Sequence, residues 1–109
     1  MAVVGHTNCG GAAACVEAAK APPQEANIPL FRWLTPLANL ARSLEVDSLG
    51  QEEAVSLLVK ENVRQQVRNL VGTETITKAW ARGDHVQIHG WVYELSTGNL
   101  SDLGISEAP

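Results

Sequence analysis

Val4-Gly5-His6-Thr7-Asn8-Cys9-Gly10-Gly11 is the stretch of this 109-residue chain on which its fold turns. Just upstream, Ala2-Val3-Val4-Gly5 is apolar and β-branched, the tail of a buried strand. Strands commonly run five or six residues, so this one begins abruptly, as though upstream neighbours were missing. His6 to Gly11 is polar and glycine-rich, a turn tight enough to need residues without a Cβ. Ala12 to Lys20 then reads as an alanine-rich helix, stopped by Pro22 and Pro23.

Outward from that turn the pattern stays α/β. The stretch from Pro22 to Pro36 has no clean period and reads as loop with a short helix. Leu37, Leu40, Ala41 and Leu44 share one helical face, which predicts a helix from about Pro36 to Leu44. From Gln51 to Val71 the stripe Val55, Val59, Val63, Val67 and Leu70 predicts a long amphipathic helix. Ser48 and Gln51 have capping-box spacing, Glu52 and Glu53 suit the helix dipole, and Gly72 ends it. Lys60, Arg64 and Arg68 form a basic row, read as a solvated face with phosphate binding as the lesser alternative.

A shorter helix is expected over Glu74 to Arg82, closed by Gly83. His85 to Tyr93 reads as a strand, Ser96-Thr97-Gly98-Asn99 as a turn, and Leu100 to Leu103 as an antiparallel return. The order strand, helices, strand, strand predicts a single α/β domain over residues 1–109. It would hold a small parallel sheet with helical crossovers and a C-terminal antiparallel hairpin. Such a sheet has an open edge, and we expect the Ala2–Val4 strand to pair there with another copy or to rearrange.

Composition narrows the function. Hydrophobic residues make 45% and charged residues 18% of the chain, which is globular rather than disordered composition. The formal net charge is -4 with the eight basic residues dispersed, which argues against a nucleic-acid partner. No apolar run approaches a membrane span, and no signal-peptide pattern opens the chain, so a cytoplasmic location is expected, with mitochondrion or plastid left open. Cys9 and Cys15 are either a disulfide or, more naturally beside a histidine, reduced thiols or metal ligands. Arg82-Gly83-Asp84 is a helix end and its cap. Asn99-Leu100-Ser101 has glycosylation spacing but nothing supports secretion, and Trp33, Trp80 and Trp91 read as core or interface aromatics.

The chemistry concentrates in His6 and Cys9. A strand end delivers the imidazole and a short turn returns the thiol, both natural zinc ligands with bonds of about 2.0 and 2.3 Å. The pair alone is a weak signal, and a buried histidine with an inert cysteine is the plain alternative. Cys15 is a poor third ligand. Six residues of helix put it roughly 9 Å along the axis and around 240° in rotation from Cys9, so it is expected in the core. His85 and His89 fall on one face of the last predicted strand with Gln87 between them. Thr7 and Asn8 are poor zinc ligands and are expected to organise the turn.

Val3-Val4-Gly5-His6-Thr7-Asn8-Cys9-Gly10-Gly11 resembles the second zinc segment of β-class carbonic anhydrases. Glu61-Asn62-Val63 with Gln66-Val67-Arg68-Asn69-Leu70 resembles that family's long helix. His89-Gly90-Trp91-Val92-Tyr93, Ser96-Thr97-Gly98 and Leu100-Ser101-Asp102-Leu103 resemble its last parallel strand and following hairpin. The resemblance implies a truncated β-carbonic-anhydrase-like fold lacking the family's N-terminal strands. It implies zinc bound by His6 and Cys9, and reversible hydration of carbon dioxide to bicarbonate, with His89 a strand residue rather than a ligand. Family members bind zinc through one histidine and two cysteines. The other cysteine lies in a Cys-x-Asp-x-Arg segment whose aspartate and arginine control access to the metal, and the 109 residues contain no such segment. Two readings follow from the resemblance. One is an enzyme whose site is completed elsewhere, in a homo-oligomer or with a full-length relative. The other is a catalytically incomplete relative that serves as a zinc-binding or oligomer-forming partner.

Overall fold

The computed structural model describes residues 1–20 and 29–109. Its elements are β1 (Ala2–His6), α1 (Gly10–Lys20), α2 (Pro29–Ser43), a 3-10 turn (Val46–Ser48), α3 (Gln51–Val71), α4 (Glu74–Ala81), β2 (His89–Tyr93) and β3 (Leu100–Asp102). They form two compact units, Met1–Thr7 with Lys60–Pro109, and Asn8–Val59. The fold is α/β, as expected.

The first unit holds a three-stranded mixed sheet in the order β1-β2-β3. β1 runs parallel to β2, from Ala2 opposite His89 to His6 opposite Tyr93. The ladder is extended at both ends: His89 N–H donates to Met1 O at 2.9 Å, and Thr7 N–H donates to Tyr93 O at 3.0 Å. β3 returns antiparallel, with Trp91 opposite Asp102 and Tyr93 opposite Leu100. The turn between them needs Gly98 at φ 75°, a left-handed conformation that other residues reach only with strain. The expected hairpin is therefore present.

One face of this sheet is core. Val3 and Val92 alternate inward while Val4, Trp91 and Tyr93 take the other face. Val67, Ile76 and Ile88 are the buried centre, with Val3, Leu70, Trp80, Val86 and Ile105 packed around them. α4 starts where the Thr73 hydroxyl accepts from Ile76 N–H at 3.4 Å, and it turns out at Gly83, φ 87°. The expected strand from His85 is shorter than predicted. Val86 O accepts the Trp80 indole N–H at 2.8 Å, and Gln87 O accepts the N-terminal ammonium at 2.8 Å. Those carbonyls are committed outside a sheet, and Ile88 instead exchanges two bonds with Glu107, so β2 begins only at His89.

In the second unit α1 packs against α2. Ala12, Cys15 and Val16 are buried from α1, and Leu34, Ala38 and Ala41 from α2, at helical spacings that align them in stripes. The helix expected from about Pro36 starts instead at Pro29 and runs through Pro36. Pro29 sits in the first turn, where a missing N–H is harmless. Pro36 gives up one bond to the Arg32 carbonyl, and the buried stripe outweighs that loss. Pro22 and Pro23, the expected stop of α1, lie outside the described residues. Trp33 is not core: it is 77% exposed. The expected Ser48 capping box is also absent. Ser48 closes the 3-10 turn, and α3 opens with Ala54 N–H donating to Gly50 O at 2.9 Å, so Gly50 caps it. The α3 stripe holds with a slight rotation: Ala54, Leu58, Val59, Val63 and Val67 are buried, with Val55 and Leu70 half-buried. Its basic row is solvated, with Lys60 and Arg68 exposed, Arg64 beside Glu61 at 3.3 Å and Arg68 donating to Gln65 at 3.1 Å.

Gly90 is the tightest point of the first unit. A Cβ there would sit 2.5 Å from Ile105 Cδ1, 2.8 Å from Ile105 Cγ1 and 3.0 Å from Val63 Cγ1. Ile and Val are stiff at χ1, so neither swings aside freely. Gly90→Ala should therefore cost about 1–3 kcal/mol in urea unfolding. Ile105→Ala should cost less in the Gly90→Ala background than alone, a coupling that a double-mutant cycle measures.

Candidate metal centre

β1 ends at His6, which lies opposite Tyr93 and is exposed. Its Nδ1 lies 2.8 Å from the carbonyl oxygen of Thr7. A carbonyl only accepts, so this hydrogen bond requires the proton on Nδ1 and leaves the Nε2 lone pair free. That is the tautomer a histidine uses when it binds a metal through Nε2 with its other nitrogen held by a carbonyl. Thr7 is itself fixed twice. Its N–H donates to Tyr93 O, and its hydroxyl accepts from Leu95 N–H at 3.0 Å, a contact between residues 88 apart. Threonine thus organises the turn, as expected, by bonding the strand exit to the start of the β2–β3 hairpin.

Asn8 follows at φ 54°, in the left-handed region that asparagine tolerates better than most residues. Cys9 comes next, half-buried, and its carbonyl accepts Ala13 N–H at 3.0 Å, so it is the residue from which α1 begins. The Gly11 position is in ordinary contact with Cys9, a Cβ there lying 3.9 Å from its Sγ. His6 and Cys9 thus stand at a strand end and a helix start, separated in sequence by Thr7 and Asn8 alone.

Cys15 is a core residue, as its spacing predicted. It is 2% exposed, and its thiol lies 3.8 Å from the carbonyl of Leu34 in the neighbouring helix. Burial pushes its pKa above the ordinary 9.0, with Cys9 adding in the same direction and Arg42 opposing. Both cysteines are free thiols.

The two remaining histidines are not together on a strand. His85 precedes β2 and is exposed, because the strand starts four residues later than its pattern suggested. His89 is held structurally: Nδ1 lies 2.7 Å from the Ser106 hydroxyl, and its ring stacks on Trp91 with centroids 5.8 Å apart. Among the described residues no group of three or more His, Cys, Asp or Glu side chains converges as a metal site. The donor chemistry of His6 and Cys9 fits zinc, but these residues do not make a complete coordination set.

Residues 1–100 match the family model of carbonic anhydrases. The chain is 31% identical over 108 residues to a carbonic anhydrase of Emericella nidulans, covering 96% of this chain and 45% of that protein. It is 32% identical over 106 residues to the mitochondrial beta carbonic anhydrase 6 of Arabidopsis thaliana, covering 95% and 36% respectively. Its structure resembles a crystal structure from work on two tetrameric β-carbonic anhydrases of Sordaria macrospora. There the TM-score is 0.77 and the identity 28%, over 98% of this chain and 53% of that one. The chain belongs to the β-class carbonic anhydrase family. It spans about half the length of the relatives it matches, or less.

The two thiols should separate cleanly in reaction with a disulfide reagent. Cys9 is expected to react in the native chain, and Cys15 only on unfolding, because burial withholds both access and thiolate. Cys9→Ser should remove the native phase and leave the guanidinium-dependent one. The raised Cys15 pKa also has a stability signature. Its contribution is fully present below the ordinary 9.0 and is lost as pH rises through the higher folded value. Stability measured by urea unfolding should therefore fall as pH rises beyond 9.0, and less steeply in Cys15→Ala.

Proposed function

We propose that His6 and Cys9 are two protein ligands of a zinc centre that carries out reversible hydration of carbon dioxide to bicarbonate. The observation that carries this is the His6 contact with the Thr7 carbonyl, which presets the nitrogen a metal would need. Membership of the family makes zinc the fitting metal and carbon dioxide the fitting substrate. Bound zinc would lower the pKa of a water ligand toward neutrality. The chain's own part is to hold donors: Thr7 O keeps the proton on Nδ1 of His6, and the bonds of Thr7 to Tyr93 and Leu95 keep that carbonyl in place.

The rest of the coordination set comes, on this reading, from outside these 109 residues, either from further protein sequence or from a second chain. We take residues 1–109 as one β-carbonic-anhydrase-like domain working in an oligomer, or with a full-length relative, in the cytoplasm. Among the described residues no helix is long and apolar enough to cross a membrane. The relative in Arabidopsis is mitochondrial, which keeps an organelle as the alternative address. A second reading, a zinc-binding partner without activity of its own, draws on the absence of a three-ligand cluster among the described residues.

Two measurements on the zinc-supplemented chain decide between them. Equilibrium dialysis should show zinc retained by the wild type and lost from His6→Ala and Cys9→Ser. Stopped-flow hydration of carbon dioxide should show activity that His6→Ala reduces by at least the roughly 10–100-fold that loss of an outer-shell metal partner costs. Zinc retention without hydration above the His6→Ala background supports the inactive partner. Failure of both sinks a zinc centre that these 109 residues complete by self-assembly.

A further inference from the structure

Thr7 is engaged in three directions. Its N–H donates to Tyr93 O at 3.0 Å, its hydroxyl accepts Leu95 N–H at 3.0 Å, and its carbonyl lies 2.8 Å from Nδ1 of His6. The first bond continues the sheet ladder, whereas the second is made with the turn between β2 and β3. That turn is closed on Glu94. Glu94 N–H donates to Asn99 O at 2.8 Å, and Glu94 O accepts Gly98 N–H at 2.8 Å and Thr97 N–H at 3.4 Å. The Ser96 hydroxyl adds a bond to Glu94 Oε1 at 3.1 Å. Gly98 allows the closure at φ 75°, a conformation in which a β-branched residue is an outlier. The position of Leu95 N–H is thus set by residues 94–99. Two bonds on different sides of the Thr7 Cα fix the frame that carries its carbonyl. With the ladder bond alone, that frame is free to swing about a single contact, and the partner of His6 Nδ1 swings with it.

We infer that the Glu94–Asn99 turn is a positioning element for His6: through Leu95 N–H and the Thr7 hydroxyl it keeps the imidazole proton on Nδ1 and the Nε2 lone pair free for a metal. The inference rests on the reading of His6 as a zinc donor and deepens it, because it assigns control of that donor to a turn whose Leu95 stands 88 residues beyond Thr7. Thr7 and Gly98 are positioning residues in this arrangement and not ligands. The Thr7 hydroxyl is the point at which the two segments meet, and Gly98 is the residue that gives the turn its shape. The Thr7–Leu95 bond is exposed, so water replaces it in a variant that lacks the hydroxyl, and the fold survives its loss. What changes is the aim of the carbonyl.

The test reads the His6 tautomer by proton–nitrogen correlation NMR of the isotope-labelled 109-residue chain, in alkaline buffer with EDTA. His6→Gln assigns its ring signals among the three histidines. Zinc is absent from the measurement, so failure of the zinc reading shows in the dialysis experiment and leaves this result standing. The wild-type ring should carry its proton mainly on Nδ1. Thr7→Val keeps the side-chain shape without the hydroxyl, and Gly98→Val strains the turn. Each should lower the ratio of Nδ1–H to Nε2–H by about fivefold, the factor that one net hydrogen bond supplies. Thr7→Ser retains the acceptor and Gly98→Asn tolerates the left-handed conformation, so both should keep the wild-type ratio. The double variant Thr7→Val with Gly98→Val should match Thr7→Val alone, because both remove the same link. Unchanged methyl signals of the buried Val67, Ile76 and Ile88 show that the core is intact in each variant. With that core intact, three results overturn the inference: a wild-type ring protonated mainly on Nε2, a ratio that either Thr7→Val or Gly98→Val leaves unchanged, or a Thr7→Ser effect as large as that of Thr7→Val.

Discussion

The parallel ladder between β1 and β2 is the constraint on which the first unit depends. Its five residue pairs join the start of the chain to a strand reached through all the helices, and the N-terminal ammonium bonds a carbonyl 86 residues away. Closing a loop of that size carries an entropy cost that grows only logarithmically with length, but it must be met before any ladder bond repays it. Repayment comes from the buried face, where Val3 joins Ile88, Val67 and Ile76. Each such side chain contributes on the order of 1.5–3 kcal/mol when fully buried. Gly90 is what lets the sheet approach Val63 and Ile105 closely enough for this burial. Packing and pairing are one event here: without the glycine the helix side chain stands off, and without the ladder β1 has no face to bury.

Much of this was legible in the sequence, and the failures have definite causes. α3, α4 and the hairpin follow from periodicity, Gly72, Gly83 and the turn residues, all local signals. α2 departs from the local pattern, because Pro36 looks like a start when only local rules apply. The stripe Leu34, Ala38 and Ala41 that carries the helix through it gains its energy by packing against α1, which a local window does not contain. β2 is shorter than its pattern from His85 suggests for a similar reason. Val86 and Gln87 have strand-like side chains, yet their carbonyls are claimed by Trp80 and by the N-terminus, partners distant in sequence or in kind. β-propensity describes a fit to a half-buried pleat and says nothing of competing donors.

The candidate site divides the same way. His6 and Cys9 stand out as a donor pair from residue type and spacing, and Cys15 falls to the core by helical geometry. What no spacing reveals is the role of Thr7. Its hydroxyl is useful only because Leu95 returns to meet it, and its carbonyl sets the His6 tautomer only because the backbone is pinned on both sides. A third donor is equally illegible here, because two protein ligands leave a tetrahedral ion with half its shell undefined.

On the zinc reading, metal affinity and sheet pairing are coupled through His6. The residue is the last of β1, and Thr7 beside it is tied to Tyr93 and Leu95, so fraying of the ladder releases the donor and the carbonyl that orients it together. A metal ion that binds the ordered end and not the frayed one stabilises the ladder by RT ln(1 + [L]/Kd), and anything that firms β1 tightens the metal in return. An ordered two-donor site therefore holds a metal more tightly than a fluctuating one.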